Sequence, residues 1–556
     1  MALAATVAAL LVWLGPPGTD LAAHVYQRAL FLRHGFLLWD DFWYAGRYSF
    51  VDYSLLYYPL AALLGIRVLA VATVAVAALA FAAVLAREWG PLARWSSRSF
   101  AVVWAGIVVS AAFPFALGVA LALLALWALQ SGHRWRFAVL TLLTLAASPV
   151  ALVLLAVVLA GIGLARRGSL RQSVVPALAL AAAVAVELVL LRLFPGVGHY
   201  PFPASEAAAA LGFCGVGLAW TWRLESARLL RFVFAAYAVA VAVVYLVPWG
   251  LGENVARLRY LALPLALLVL ALRRWRPLPA ALAVVALALA WNVKPFATGW
   301  ATSASDATSR AAVWRAPLAY LHAHLRVGYR VEAVDTAEHW PAFYLAGHGI
   351  PLVRGWFRQD DFPLDALLYR RLTPAAYLRW LHRLGVAYVV LSDGPPDYSA
   401  RREARLVRSG RAGLRRVFAT AAVSIYRVPH PQPLVTGPGR PVLLALTRES
   451  LLLRVSRGGS YRIAVHWSPY WRASSGCLAR TPDGLLRLRT RDAATVRIVF
   501  DVDPLGLLRA FAGSAPSCRR SPAQPTSRTS SARGLRFARA DHSSALRLAG
   551  SRGRAG

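Results

Sequence analysis

Eleven apolar runs follow one another through the first 293 residues, at 2–14, 55–86, 100–112, 115–130, 137–147, 149–165, 173–194, 207–221, 230–249, 259–272 and 278–293. No other feature limits the fold so strongly, because a water-soluble core cannot hide so much apolar side chain. Of the 556 residues, 58% are hydrophobic. An α-helical polytopic membrane protein of about eleven spans is predicted, its membrane domain covering 1–299. Several runs are shorter than the ~20 residues that cross a bilayer straight. The first run has no basic flank, which argues against a cleaved signal peptide. It reads as a span helped across by its neighbours or as one whose true start lies upstream.

Arginine sets the orientation. Arg87, Arg94 and Arg98 follow the second run, and Arg134 and Arg136 the fourth. Arg166, Arg167 and Arg171 follow the sixth, Arg223, Arg228 and Arg231 the eighth, and Arg273, Arg274 and Arg276 the tenth. Every second loop is basic, as cytoplasmic loops are. The intervening loops, and everything after Lys294, then lie outside a plasma membrane. The formal charge of +36 therefore does not point to nucleic acid. Lys294 is the only lysine, and the arginines lie between apolar runs rather than along one basic face.

The first outer loop, 16–53, carries the most chemistry. After Gly15-Pro16-Pro17-Gly18, Thr19 is placed to cap a helix and Asp20 falls in its first turn. Asp20, His24, Gln27 and Arg28 follow at i, i+4, i+7 and i+8, one polar stripe on an apolar helix lying in the interface. Asp20 either stabilises that helix end through the dipole or is held there as a base. Next come Leu38-Trp39-Asp40-Asp41-Phe42-Trp43-Tyr44-Ala45-Gly46-Arg47-Tyr48, then Tyr53 and Tyr57-Tyr58-Pro59. Rings such as Trp43 and Tyr44 stack on sugar faces, while Asp40, Asp41 and Arg47 offer polar contacts. An interfacial aromatic belt has the same composition. No cofactor is implied, although Asp40-Asp41 offers two ligands to a divalent metal.

Two further outer loops are expected to close this pocket. One is Pro/Gly-rich and brings His199 and Tyr200; the other brings Glu253, Asn254, Arg257 and Arg259. Arginine clamps phosphate by paired hydrogen bonds, and at a helix end it also snorkels.

Beyond residue 300 alternation replaces apolar runs. A strand at 329–334, a helix at 374–384 and a strand at 386–391 predict an extracytoplasmic α/β module over 301–430. Short alternating segments at 451–455, 461–465 and 496–500 predict a β-sandwich-like module over 440–518. The tail 519–556 holds nine Arg and one Asp and reads as a disordered basic tail. Cys477 and Cys518 lie outside the membrane, where a disulfide can form; the sequence fixes no distance between them. Cys214 reads as a buried small hydrophobe.

A Gly-Thr-Asp loop after the first span, an interfacial helix, then Leu-Trp-x-x-x-Trp-Tyr-x-Gly before a Tyr-Pro span resemble the GT-C superfamily of membrane glycosyltransferases. More narrowly, the chain is similar to actinobacterial multispanning proteins sometimes labelled 6-pyruvoyl-tetrahydropterin synthase-related membrane proteins, a label not read here as an activity. The segments Asp335-Thr336-Ala337-Glu338-His339-Trp340, Ser392-Asp393 and Asp397-Tyr398-Ser399-Ala400 share in that resemblance. It implies a polyprenyl-phosphate sugar donor and an aspartate of the first outer loop as base, which maps onto Asp20. A second acidic motif maps onto Asp40-Asp41.

The reading that follows is transfer of a sugar to a cell-envelope glycan or lipid acceptor on the outer face. His24 and Arg28 are candidates to bind the acceptor, and Arg257, Arg259 or Lys294 to stabilise the leaving phosphate. The alternatives are a non-enzymatic envelope scaffold that binds glycan and a lipid or polysaccharide transporter. Glu187 and Arg192 are among the few charges within the runs, too sparse for a proton relay.

Overall fold

The computed structural model describes residues 1–166, 170–196, 198–362 and 364–513. Arg167, Cys518 and the tail 519–556 lie outside the described residues. Each apolar run falls on helical backbone. Among the described residues six helical segments are long and apolar enough to cross a membrane. They are Ile66–Ser110, Phe113–Gln130, Val174–Leu193, Glu225–Leu246, Gly252–Leu272 and Leu278–Ser305. The chain is a multi-pass membrane protein.

Eleven spans are not reached on that measure, for identifiable reasons. Ala2–Leu14 and Pro149–Ala165 are apolar but short. The run at 55–86 is broken at Gly65, whose φ of +79° separates Tyr57–Leu64 from Ile66–Trp89. The run at 100–112 is the end of the stretch that begins at Ile66, joined through 3-10 turns at Gly90–Ala93 and Trp104–Gly106. Small residues let the helices cross closely. A Cβ on Gly118 would stand 2.6 Å from Ala151, and one on Gly161 2.6 Å from the Val233 backbone.

The C-terminal half is rich in strands. A four-stranded sheet has the order Arg330–Ala333, Val386–Ser392, Val423–Arg427, Arg415–Ala419; its first pair is parallel and the others antiparallel. Helix Pro374–Arg383 starts as its residues suggest, with Pro374 at its first turn and the Thr373 hydroxyl accepting from the Ala376 amide. Two antiparallel four-stranded sheets follow. One runs Cys477–Arg480, Leu485–Thr490, Gly459–His466, Val435–Thr436, and the other Trp471–Ala473, Ala494–Phe500, Ser450–Val455, Val442–Leu446. Leu451, Leu453, Val496 and Ile498 of one sheet and Tyr461, Ile463 and Leu488 of the other share one apolar core. Strand Val435–Thr436 joins before residue 440, a short edge that alternation over two residues cannot announce. Cys477 is disulfide-bonded.

The segment 37–58 lies between the membrane helices and this C-terminal half and is buried by both. Trp39 stacks on Phe500 at 5.0 Å, and Tyr48 and Ser468 share a hydrogen bond of 2.9 Å. Asp40 accepts from Tyr26 at 2.6 Å and pairs with Arg448 at 2.8 Å. Arg47 pairs with Asp52 at 2.7 Å and with Asp360. Arg448→Ala is expected to remove about 2 kcal/mol from this joint, the value of a charge-assisted hydrogen bond lost against a buried partner. Thermal unfolding of the full chain in detergent checks this; melting as wild type would rule it out.

Candidate functional site

The loop that carries Asp20 is pinned by another helix's end. The last carbonyls of the stretch closing at Ser110 have no partner within their own helix. The Thr19 amide donates to the Val109 carbonyl and the Asp20 amide to that of Ser110, each at 3.1 Å; the Thr19 hydroxyl also donates to Ser110 at 2.9 Å. Gly18 is needed at the crossing, because a Cβ there would stand 2.7 Å from Ala111. Thr19 is thus not the cap. Asp20 occupies the N-cap position of helix Leu21–His34, and its carboxylate makes no capping bond. Instead Oδ1 accepts from the Trp356 indole Nε1 at 2.8 Å. No other hydrogen bond to the carboxylate occurs among the described residues.

The polar stripe faces protein, not water. Helix Leu21–His34 packs between Tyr57–Leu64 and Trp340–Gly347. His24 and Gln27 are buried, and Arg28 donates to the Ala61 carbonyl at 2.7 Å. His24 Nδ1 lies 3.1 Å from the Tyr58 hydroxyl, and the rings of Tyr53, Tyr57, Phe113 and Trp356 surround the imidazole. Burial lowers the His24 pKa to about 4 despite the nearby Asp20 charge, so the ring stays neutral. Tyr53 stands edge-on to Trp356 at 5.0 Å, and its hydroxyl is raised by burial and by Asp20.

Of the expected substrate contacts, Arg257 shares a neighbour, Tyr53, with Asp20. The Arg257 guanidinium sits 4.7 Å above the Phe115 ring, close enough for its charge to act on Tyr53. Among the described residues it has no carboxylate partner. The two further loops meet each other: the Tyr200 amide donates to Trp249 and the Glu253 amide to Pro201. Tyr200 donates to Glu253 at 3.3 Å and accepts from Arg358 at 3.3 Å. Asn254 is buried, and His199 stacks on Phe362 at 4.2 Å.

The remaining predicted contacts are placed elsewhere. Arg259 is taken up by Glu206 at 2.5 Å. Lys294 is exposed, before the Phe296 and Trp300 rings that pack on Gly106 and Gly15. Asp40, Asp41, Trp43, Tyr44 and Arg47 are buried in the joint described above, not in an open pocket. The Trp39 indole donates to Asp41 at 2.8 Å, Trp43 to the Ala342 carbonyl at 3.1 Å and Tyr44 to the Gly355 carbonyl at 2.9 Å. Among the described residues no group of three or more His, Cys, Asp or Glu side chains is placed to hold a metal.

Trp356 and Arg358 went unread in the sequence. Their one local signal is an aromatic pair between arginines, Arg354-Gly355-Trp356-Phe357-Arg358. The Asp335 and Asp397 segments also come to this region. His339 Nδ1 lies 2.9 Å from both Asp335 carboxylate oxygens, and Asp397 pairs with Arg358. Burial lowers the His339 pKa, but Asp335 lifts it past the ordinary histidine value.

No family model matches the chain, and no curated protein matches it. The solved structures similar to it include two cryo-EM classes of a variant of the arabinofuranosyltransferase AftD from mycobacteria. They are 20% and 19% identical, with TM-scores of 0.47 and 0.45 over 78% and 77% of this chain. The matched region spans 41% of each neighbour's length.

Proposed function

We propose that this chain is an integral membrane glycosyltransferase. It moves a sugar from a polyprenyl-phosphate donor to a cell-envelope glycan or lipid acceptor on the outer face, with Asp20 as general base. The observation that carries the reading is the Asp20 carboxylate itself. It sits at a helix N-terminus without capping it, oriented through one oxygen by Trp356, and both its charge and that of Arg257, which has no carboxylate partner among the described residues, act on Tyr53. A carboxylate spent on helix stability would bond the amides it stands next to.

In the reaction the acceptor hydroxyl oxygen bonds to the anomeric carbon while the bond from that carbon to the phosphate oxygen breaks. The hydroxyl proton passes to Asp20, and the polyprenyl phosphate leaves with the bonding electrons, with inversion at the sugar. Arg257 stabilises the departing charge. Arg259 and Lys294 are not assigned this task, since one is paired with Glu206 and the other is exposed. Tyr53, edge-on to Asp20's partner Trp356, also lines a cavity of about 160 Å³ with Leu142, Leu145, Ala146, Val186 and Glu187, which suits the donor's apolar tail. The alternating arginine loops orient loop 16–53 and the C-terminal half outside the plasma membrane.

The test is transfer from a panel of radiolabelled polyprenyl-phosphate sugars to envelope acceptors by the purified full chain. Inverting transfer from at least one donor is expected; silence across the panel would remove the assignment. Trp356→Phe keeps the ring packing and deletes the donor to Asp20. It is expected to fold normally and to slow transfer about ten- to a hundredfold, for a charge-assisted hydrogen bond worth roughly 1.5–3 kcal/mol. An unchanged rate would separate Trp356 from the chemistry.

A further inference from the structure

Four buried side chains, Ser303, Asp306, Thr336 and Glu338, gather where Glu338 feels the Asp20 charge; the Ser303 hydroxyl meets the Glu338 carboxyl, while Asp306 Oδ2, Thr336 Oγ1 and the second Glu338 oxygen make no hydrogen bond. All four residues are at most 3% exposed. Buried polar groups are nearly always bonded, and each bare one costs roughly 1–3 kcal/mol. Three such atoms in one place mark a spot built for something polar.

The four do converge. Ser303 closes helix Leu278–Ser305, and Asp306 begins the turn Ala307–Ser309 that follows. Thr336 and Glu338 come from the segment after strand Arg330–Ala333. A Cβ on Gly394 would touch both Asp306 Oδ1, at 2.9 Å, and the Thr336 methyl, at 3.1 Å, so both side chains lie beside that glycine. Glu338 is hydrogen-bonded by the Ser303 hydroxyl and lies within electrostatic reach of His339, Asp306 and Asp20. Burial, opposed by the Ser303 hydroxyl and His339 and aided by Asp306 and Asp20, pushes its carboxyl up to about 8. A protonated carboxyl carries one O–H donor and spare acceptor capacity, and each hydroxyl beside it does the same. A cation would want several ionised ligands, and no such group occurs among the described residues. Neutral groups that both donate and accept match the neighbouring hydroxyls of a sugar.

We propose that Ser303, Asp306, Thr336 and Glu338 form a sugar-hydroxyl subsite beside Asp20 that holds the acceptor. The acceptor's identity rests on the glycosyltransferase reading; the polyol chemistry does not. The probes are methyl α-D-arabinofuranoside and methyl α-D-mannopyranoside, titrated calorimetrically into the purified full chain in nanodiscs. Wild type is expected to bind at least one of them. Glu338→Ala and the near-isosteric Thr336→Val should weaken binding tenfold or more, and Glu338→Gln less than threefold. In transfer assays Glu338→Ala should raise the acceptor KM at least tenfold with kcat changed less than threefold. Binding unaltered in Glu338→Ala and Thr336→Val, or no binding by wild type, overturns the subsite and leaves these atoms to buried water. Transfer by wild type with an unshifted acceptor KM in Glu338→Ala also overturns it while the enzyme reading stands. Glycoside binding through Glu338 without any transfer keeps the subsite and defeats the enzyme reading.

Discussion

Asp20→Asn is expected to fold, insert and bind as wild type and to lose transfer by about 10²–10⁴-fold, the usual contribution of a general base. The substitution is close to isosteric. Its side-chain oxygen still accepts from the Trp356 indole, so the ring cluster of Tyr53, His24 and Trp356 keeps its geometry. What disappears is a group able to take a proton. A sugar hydroxyl is a weak acid, so the proton must move as the new bond forms, and each tenfold loss represents about 1.4 kcal/mol of barrier. His24 cannot substitute. Its Nδ1 is engaged with Tyr58, and an imidazole lowered to about 4 is a poor base at neutral pH. Initial rates at saturating donor and acceptor decide the matter, and equal rates for variant and wild type would take Asp20 out of the mechanism.

Arg354→Met is expected to be the most damaging single change to stability, by about 3–5 kcal/mol. Arg354 is buried, as are the acids around it: Asp361 at 3.3 Å, Glu403 at 3.4 Å and Glu332 at 3.8 Å. It also donates to the Ser399 hydroxyl at 2.8 Å. Burial lowers the Arg354 pKa, but the surrounding carboxylates lift it well above the ordinary value, so the charge is held. Methionine fills most of the volume and leaves three acids without their counter-ion. Burial already raises Glu332 and Glu403 above the usual carboxylate range. A group whose folded pKa is raised binds protons more readily folded than unfolded, so its contribution to stability grows as pH falls. The deficit of the variant should therefore be larger at pH 7 than at pH 5. Unfolding in detergent at the two pH values measures this. A melting temperature matching wild type at pH 7, or a deficit that grows on acidification, would contradict the role given to Arg354.

Trp356 links these two results, since it shares the short segment 354–358 with Arg354 and holds the carboxylate of Asp20. Loss of the ion cluster is thus expected to disturb the site as well as the fold.

The sequence by itself determined what depends on near neighbours. Apolar runs produced helices, because burying or lipid-facing side chains at helical spacing leaves one local solution for the backbone. Alternation produced strands at Ser450–Val455, Gly459–His466 and Ala494–Phe500 for the same reason. The break before Asp20 was equally plain from Gly15-Pro16-Pro17-Gly18. Periodicity states which face is apolar or polar and is silent on what covers it. The stripe of His24, Gln27 and Arg28 was legible, yet only tertiary structure turned it inward against protein. The aromatic loop was legible as a cluster, but sheets some 400 residues later sealed it, through Arg448 on Asp40 and Ser468 on Tyr48. Asp20 owes its orientation to Trp356, 336 residues away. Such pairs carry no spacing rule, because the energy of a hydrogen bond or ion pair depends on distance in space and not along the chain.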